Sequence, residues 1–203
     1  MSADDSEVRR LPTGAHGISA DVVARNQRER LAAAVAEACA ELGYAETSVA
    51  DLAHRAGVST ATFYKLFPGK RECVLEAHRE LFGRLLEEVD RACMGEEERS
   101  AKVRAGISTV LELLAADPPT ARLLTVEIMA LGTAGAKRND DAIETFASRL
   151  RAGRDPNAAA LPNADWARVA SISMLIGKRV MAGEAASLAQ LEDELVAMTT
   201  ALE

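Results

Sequence analysis

The chain has 203 residues, of which 48% are hydrophobic and only 3% aromatic, and its formal net charge is −7. This length suffices for one large or two small domains, and a charged fraction of 27% beside abundant aliphatic residues argues against global disorder. Alanine, the best helix former, supplies much of the apolar share, so an all-α fold is expected. The acidic balance argues against nucleic acid as a partner, because the phosphate backbone attracts cations.

The first helix is predicted to follow an arm of residues 1–17, in which no apolar periodicity occurs. Ser19 or Asp21 can cap its start. Gly43 is expected to end it, since glycine adopts the left-handed conformation that closes many helices.

Two very short helices are predicted next, over residues 49–56 and 59–66, with Gly57 in the turn between them. Each is too short to be stable alone, so both must pack on the first helix and on each other. A longer helical pattern covers residues 70–95.

Five further stretches repeat apolar residues at helical spacing and bring the expected total to about nine helices. They cover residues 103–114, 124–131, 143–150, 166–180 and 188–202, with breaks at Asp117-Pro118-Pro119, 132–135, 153–162 and Gly183. No strand with alternating polarity is evident.

The cysteines, Cys39, Cys73 and Cys93, are widely spaced and form no C-x-x-C pair. Neither a disulfide framework nor a metal site is expected, no cofactor is indicated, and the thiols are predicted to be buried and reduced. No stretch approaches the roughly 18 apolar residues of a membrane span, and the first residues lack the apolar region of a signal peptide. A cytoplasmic location is therefore expected.

The segment Val49–Leu66 combines the features that a helix-turn-helix requires. Ala53 is small where the two helices would cross, and Gly57 tolerates the positive φ of a tight turn. The remaining positions divide into an apolar inward set and an outward set with short hydrogen-bonding groups: Leu52, Ala56, Val58, Phe63 and Leu66 inward, and Ser59, Thr60, Thr62 and Lys65 outward. An ordinary helical hairpin is the alternative.

The residues Thr47-Ser48-Val49, Ala56-Gly57-Val58-Ser59 and Thr62-Phe63-Tyr64-Lys65-Leu66-Phe67-Pro68-Gly69-Lys70 resemble the N-terminal domain of the TetR family of bacterial transcriptional regulators. The resemblance covers roughly residues 19–75. It implies a helix-turn-helix domain over 18–71 and an effector-binding and dimerisation domain over 72–203. It further implies a homodimeric repressor that a small-molecule effector releases from a palindromic operator in double-stranded DNA.

The resemblance also implies which residues meet DNA. Ser59, Thr60, Ala61, Thr62 and Lys65 belong to the segment that would enter the major groove, whereas hydroxyl or charged groups of other residues would bind phosphates: Thr47, Ser48, Tyr64, Lys70 and Arg28. The recognition helix holds no Arg, Asn or Gln, which are the side chains that read bases bidentately, so much of the specificity is expected from half-site spacing and DNA shape.

The other implied sites lie in the helices after Lys70. Candidate effector contacts are large apolar or charged residues, namely Phe82, Arg122, Glu127, Met129, Phe146, Trp166 and Met174. Candidate dimer contacts are two wide apolar stripes with small residues among them: Val169, Ile172, Ser173, Ile176, Gly177, Val180, Leu188, Leu191 and Leu195. An intramolecular core is the alternative for these stripes.

Two other functions compete with that of a repressor. An enzyme is not expected, because the three histidines are scattered and no H-E-x-x-H, G-x-S-x-G or phosphate-binding glycine loop occurs. A helical scaffold, or an activator of the same family, remains open. The negative charge is distributed unevenly along the chain: residues 8–71 hold nine Lys or Arg against six Asp or Glu, whereas residues 72–203 have a net charge of −7. The net charge of the whole chain is therefore a weaker argument against DNA binding than it first suggests.

Overall fold

The computed structural model describes residues 20–153 and 162–200, and the regular structure in these ranges is helical throughout. Nine α-helices lie in the described ranges: α1 Ala20–Glu46, α2 Val49–Arg55, α3 Thr60–Leu66, α4 Lys70–Met94, α5 Arg99–Ala116, α6 Pro118–Thr125, α7 Thr133–Ala152, α8 Ala164–Met181 and α9 Glu192–Thr200. Two 3₁₀ helices, Glu127–Leu131 and Ala185–Leu191, precede α7 and α9. The predicted all-α fold with nine helices is confirmed. The predicted arm and Ser19 lie outside the described residues.

Two glycines adopt the positive φ that the sequence predicts for them. Gly43 has φ 78° and interrupts α1, which continues for one more turn to Glu46. Gly57, with φ 61°, makes the turn between α2 and α3. The abrupt change of direction at each position therefore depends on a residue without a Cβ.

Helix boundaries differ from the prediction around α6. The predicted break at Asp117-Pro118-Pro119 is instead the start of this helix: the Asp117 carboxylate accepts a hydrogen bond from the Thr120 backbone N–H at 3.1 Å. Proline is tolerated here because the first turn of a helix needs no N–H donor. The next predicted break is only one residue wide, since Gly132 (φ 62°) turns the chain and α7 begins at Thr133.

Two main clusters of apolar side chains hold the helices together. The first joins α1, α2 and α3 to the start of α4 and also takes in Leu123 of α6 and Ile128 of the 3₁₀ helix. The second lies among α4, α5, α6, α8 and the C-terminal elements. Helices α4 and α6 contribute to both clusters, so the core beneath the helix-turn-helix includes residues from beyond the expected division at residue 71.

The stripes predicted to form a dimer interface lie mainly inside the protomer. Val169, Ile176, Gly177, Val180, Leu188, Leu191 and Leu195 are buried, and Ile172 and Ser173 are half-buried. Most of the apolar members pack in the second cluster, whereas Val169 packs with Ile143 and Ala147 of α7. The predicted apolar stripes exist, but they pack against other helices of the same chain. The opposite face of α8 is exposed and carries Met174 and Met181, which are 75% and 63% accessible.

The contact between α7 and the preceding 3₁₀ helix predicts the effect of adding one methyl group. A Cβ at Gly135 would lie 1.8 Å from the Ile128 carbonyl oxygen, so Gly135→Ala must separate the two elements. We expect it to lower the free energy of unfolding by about 1–3 kcal/mol, measured by urea denaturation. The matched control is Gly83→Ala in α4, where nothing lies within 4 Å of a new Cβ and a gain of about 0.5–1 kcal/mol is expected. Similar values for the two variants would contradict this close packing.

Candidate DNA interface and ligand cavity

The start of α2 is fixed by a capping box. Ser48 Oγ accepts the Asp51 backbone N–H at 3.1 Å, and the Asp51 carboxylate accepts the Ser48 N–H at 2.9 Å and its hydroxyl at 2.5 Å. These bonds lower the pKa of Asp51. The N-terminus of α2 therefore already has a carboxylate as its anionic partner, and the Ser48 hydroxyl expected to meet a phosphate is engaged locally.

Thr47 faces inward rather than toward DNA. It is 2% exposed, and its hydroxyl donates a hydrogen bond to the Gly43 carbonyl at 2.8 Å. The predicted contact of this hydroxyl with phosphate is therefore wrong for this arrangement, because the side chain helps to close the end of α1 instead.

Helix α3 presents the polar face that the sequence predicts. Ser59 caps the helix by accepting the Thr62 N–H at 3.0 Å, and Phe63 anchors it with a fully buried ring. Thr60, Ala61, Tyr64 and Lys65 are exposed, and Thr62 is half-buried with its hydroxyl 2.9 Å from Ser59 Oγ.

Tyr64 and Arg28 are both accessible. The Tyr64 side chain is 59% exposed and its ring packs edge-on against Phe63, at 5.5 Å between centroids, so its hydroxyl can reach a partner outside the protein. Arg28 is exposed on α1 and lies near Glu76 of α4, whose pKa is lowered mainly by a hydrogen bond from Arg79 and slightly by the charge of Arg28.

Lys70 holds backbone groups rather than facing solvent. Its ammonium donates to the carbonyls of Tyr44, Ala45 and Thr47 at 2.8, 3.2 and 2.7 Å and lies 4.4 Å from the centroid of the Tyr44 ring. An ammonium has three protons, so these carbonyls use its full donor capacity. The predicted phosphate contact of Lys70 therefore needs correction: in this structure the residue ties the end of α1 and the approach to α2 to the start of α4.

Glu127 and Arg122 form a second tie at the same place. Glu127 is 7% exposed, its carboxylate accepts the Tyr44 backbone N–H at 2.8 Å, and Arg122 Nε donates to it at 2.9 Å. The sequence offers both residues as candidate effector contacts, with a salt-bridged Glu127 as the alternative. The structure places them between α1 and α6 instead, where the paired carboxylate satisfies a backbone donor next to Gly43.

An apolar cavity of about 310 Å³ lies among the helices that follow the helix-turn-helix. Residues from α4 to α9 line it, including His78, Phe82, Leu85, Val89, Val103, Ile107, Leu124, Ile143, Phe146, Val169, Ile172, Ser173 and Ile176. Of the predicted effector contacts, Phe82 and Phe146 line this cavity, with ring centroids 5.6 Å apart, and Arg122, Glu127, Met129, Trp166 and Met174 do not. Met129 and Met174 are exposed, and Trp166 donates its indole N–H to Asp140 at 2.9 Å.

The cavity has one enclosed end and one charged rim. At the enclosed end His78 is 1% exposed, and burial lowers its pKa to about 4, helped by the charge of Arg138 and opposed by a hydrogen bond with the Leu124 backbone. The imidazole is therefore neutral at pH 7. At the other end lie exposed Lys102 and the ion pair of Arg149 with Asp90, whose atoms are 2.8 Å apart.

The described residues offer no other obvious reactive site. Cys39 and Cys73 are buried as predicted, burial raises the pKa of their thiols to about 11 and 12, and Cys93 is partly accessible. Within residues 20–153 and 162–200 no three His, Cys, Asp or Glu side chains cluster as metal ligands. No helix in these ranges has both the length and the hydrophobicity of a membrane span.

Comparisons with known proteins agree with this arrangement. Residues 31–77 match the family model of bacterial regulatory proteins of the tetR family. The fold is similar to that of the fatty acid degradation regulator FadR from Bacillus halodurans, with a TM-score of 0.75, 17% identity, and coverage of 87% of this chain and 96% of the other. No match was found among curated proteins.

Two more solved structures share the fold. The transcriptional regulator FadR from Bacillus subtilis, in complex with stearoyl-CoA, aligns with a TM-score of 0.74 and 19% identity over 86% of this chain and 99% of the other. A TetR-like regulator from Rhodococcus sp. RHA1 aligns with a TM-score of 0.62 and 19% identity over 87% and 97%. The family match covers the capped helices and the glycine turn described above, and the fold agrees along most of the chain. Residues 31–77 therefore form a helix-turn-helix domain of the bacterial tetR regulatory family, and the chain as a whole has the fold of TetR-like regulators.

Proposed function

We propose that the protein is a cytoplasmic homodimeric repressor that leaves a palindromic operator when a hydrophobic small molecule occupies its cavity. The observation that carries this proposal is an apolar cavity built from helices that also pack beneath the helix-turn-helix. A domain needed only to bind DNA has no use for such a cavity, and ligand sites are commonly concave, mostly apolar and equipped with a few polar groups.

Helix α6 supplies a physical connection between the two sites. Leu124 lines the cavity, whereas its neighbour Leu123 is fully buried in the first cluster against α1. A ligand that displaces Leu124 therefore shifts the surface on which α1 rests, together with the Glu127 carboxylate that holds the Tyr44 N–H. The ligand must bind the DNA-free arrangement more tightly, with a coupling free energy of typically about 1–3 kcal/mol.

In the proposed complex, the exposed face of α3 enters the major groove. Thr60, Ala61 and Lys65 would approach bases, and the Tyr64 hydroxyl and the Arg28 guanidinium would bind phosphates. Among the three base-facing residues, Lys65 alone can bind guanine strongly. The spacing of the two half-sites and the shape of the DNA would therefore supply much of the specificity. Arg9 and Arg10 of the predicted arm could add minor-groove contacts, but they lie outside the described residues.

The exposed face of α8 supports a dimer. Met174 and Met181 lie on one stripe with Ala167, Ser171 and Lys178, all of them accessible. Two accessible methionines on one stripe with small residues form a continuous exposed surface that is suited to contact with a second copy. Two-fold symmetry would then bring two copies of α3 to successive turns of the operator.

A long-chain acyl compound is the effector class that we propose to test first. The walls of the cavity are almost wholly apolar, and the FadR structure from Bacillus subtilis contains stearoyl-CoA. The geometry suits an activator equally well, and the sign of the ligand effect separates the two roles.

The first test measures the binding of DNA from upstream of the protein's own gene by fluorescence anisotropy, with and without stearoyl-CoA. We expect salt-sensitive, sequence-dependent binding, with Kd raised about five- to 150-fold by the ligand, as the coupling energy requires. Free CoA, which lacks the chain, is the control and should leave Kd unchanged. Tighter binding with stearoyl-CoA would favour an activator or a corepressed regulator, and an unchanged Kd would exclude this effector class.

The second test separates the roles of two lysines. Lys65→Met should weaken operator binding by about 1–3 kcal/mol and change stability by less than about 0.5 kcal/mol, because the side chain is exposed on α3. Lys70→Met should instead lower the free energy of unfolding by about 1–2 kcal/mol, since three carbonyls lose a donor. Urea denaturation and anisotropy measure the two effects. A Lys70→Met protein of normal stability whose salt dependence falls by about one counterion would restore Lys70 as a phosphate ligand.

The third test concerns the dimer. Met174→Glu places a charge at the centre of the exposed stripe on α8 and should give a monomer in sedimentation velocity. Met94→Glu, at a methionine that is 78% exposed at the end of α4, is the matched control and should remain dimeric. Dimers of equal strength in both variants would remove α8 from the interface.

A further inference from the structure

We infer that the cavity ligand is a linear aliphatic molecule with a hydroxyl group at its deep end, and that His78 is the residue that recognises this hydroxyl. This inference rests on the proposed effector role of the cavity and adds a specificity-determining residue to it.

His78 is a buried polar side chain in the lining of the cavity. Its side chain is 1% exposed, its ring stacks on Phe82 with centroids 6.1 Å apart, and its Nδ1 is buried with no hydrogen-bond partner among the described residues. A buried polar atom without a partner is costly and uncommon in folded proteins. A ligand atom that bonds to the imidazole would remove this cost.

The shape of the cavity determines which part of a ligand reaches His78. Both His78 and Cys93 line the cavity, and the 15 residue steps between them on α4 span about 22 Å at about 1.5 Å per residue. Charged side chains cluster at the Cys93 end, where Asp90 and Arg149 are accessible to solvent, and they are suited to an ionic head group. The glutamates at 96–98 of the adjoining loop are outside the cavity lining. An amphipathic chain therefore has its head at the charged rim and its far end at His78.

The protonation state of His78 limits which functional groups of a ligand can bind at the deep end of the cavity. Because burial lowers its pKa to about 4, the ring is neutral and has one N–H donor and one acceptor nitrogen. A hydroxyl both donates and accepts, so it can bond to this ring in either tautomer. An ammonium group would face the positive charge of Arg138, and a carboxylate would have to lose its hydration beside a neutral ring, because Arg138 does not line the cavity.

The experiment compares palmitate with 16-hydroxyhexadecanoate, two chains of the same length that differ in the terminal hydroxyl. An extended chain of 16 carbons is about 19 Å long from ordinary sp³ bond lengths, which matches the span along α4. Calorimetric titration of the full chain gives the ratio of the two dissociation constants for wild type, His78→Leu and His78→Asn. His54→Leu, which removes an exposed imidazole on α2, is the matched control.

We expect wild type and the His54→Leu control to bind the hydroxylated chain at least as tightly as palmitate. His78→Leu should shift the ratio against the hydroxylated chain by about tenfold or more, because its hydroxyl then enters an apolar site unpaired, while palmitate affinity is kept. His78→Asn retains a hydrogen-bonding group and should recover part of the preference. A change in packing alone would alter the binding of both chains equally.

Two outcomes overturn the inference, and they are distinguishable from failure of the proposed function. If palmitate binds but the ratio is the same in wild type and His78→Leu, His78 does not recognise a hydroxyl, and the effector role of the cavity stands. Rejection of the hydroxylated chain by wild type, at about tenfold weaker binding than palmitate, overturns the inference without any variant, even if His78→Leu does not fold. If neither chain binds wild type, the inference is wrong, and the stearoyl-CoA measurement described above decides separately whether the cavity has an acyl effector.

Discussion

The end of α1 is the point on which the geometry of the DNA-binding face depends. Gly43 turns the backbone there, and the groups that this turn leaves without helical partners are held from two directions. Lys70 at the start of α4 takes three carbonyls, and Glu127 beyond α6 takes one N–H. Because α2 begins at Val49, directly after this held segment, its direction is tied to two elements that also line or border the cavity.

The hydrogen bonds of Lys70 and Glu127 to the end of α1 explain how two short helices can form a rigid recognition unit. Neither α2 nor α3 is long enough to be stable in isolation, and each has a side-chain cap at its start, Ser48 and Ser59 respectively. The buried rings and aliphatic groups of the first cluster then orient both helices against α1. Rigidity of this kind suits recognition by shape and spacing, because a recognition helix with few base-reading side chains depends on its position.

The sequence was sufficient for features that are encoded locally and insufficient for those that join distant segments. A glycine turn and a small residue between two helices are visible within Val49–Leu66, so the helix-turn-helix could be predicted with its inward and outward faces. The capping roles of Ser48 and Ser59 were not predicted, because the same hydroxyls could equally face DNA. The hydrogen bond from Tyr44 to Glu127 spans 83 residues, and no local pattern indicates it. An apolar stripe likewise indicates which side of α8 is buried, but it does not indicate whether the same chain or a partner subunit buries it. Ile176 was therefore predicted to meet a partner subunit, whereas it borders a cavity within the chain.

Leu123 and Leu124 are neighbours in the chain that pack in opposite directions, one against α1 and the other toward the cavity. Under the proposed function, a mutation at Leu123 would alter operator affinity, whereas a mutation at the adjacent Leu124 would alter the response to the ligand. A genetic map of this protein would therefore not divide into a DNA-binding half and a ligand-binding half. Its boundary between the two phenotypes would lie within a single turn of α6, in the second half of the gene.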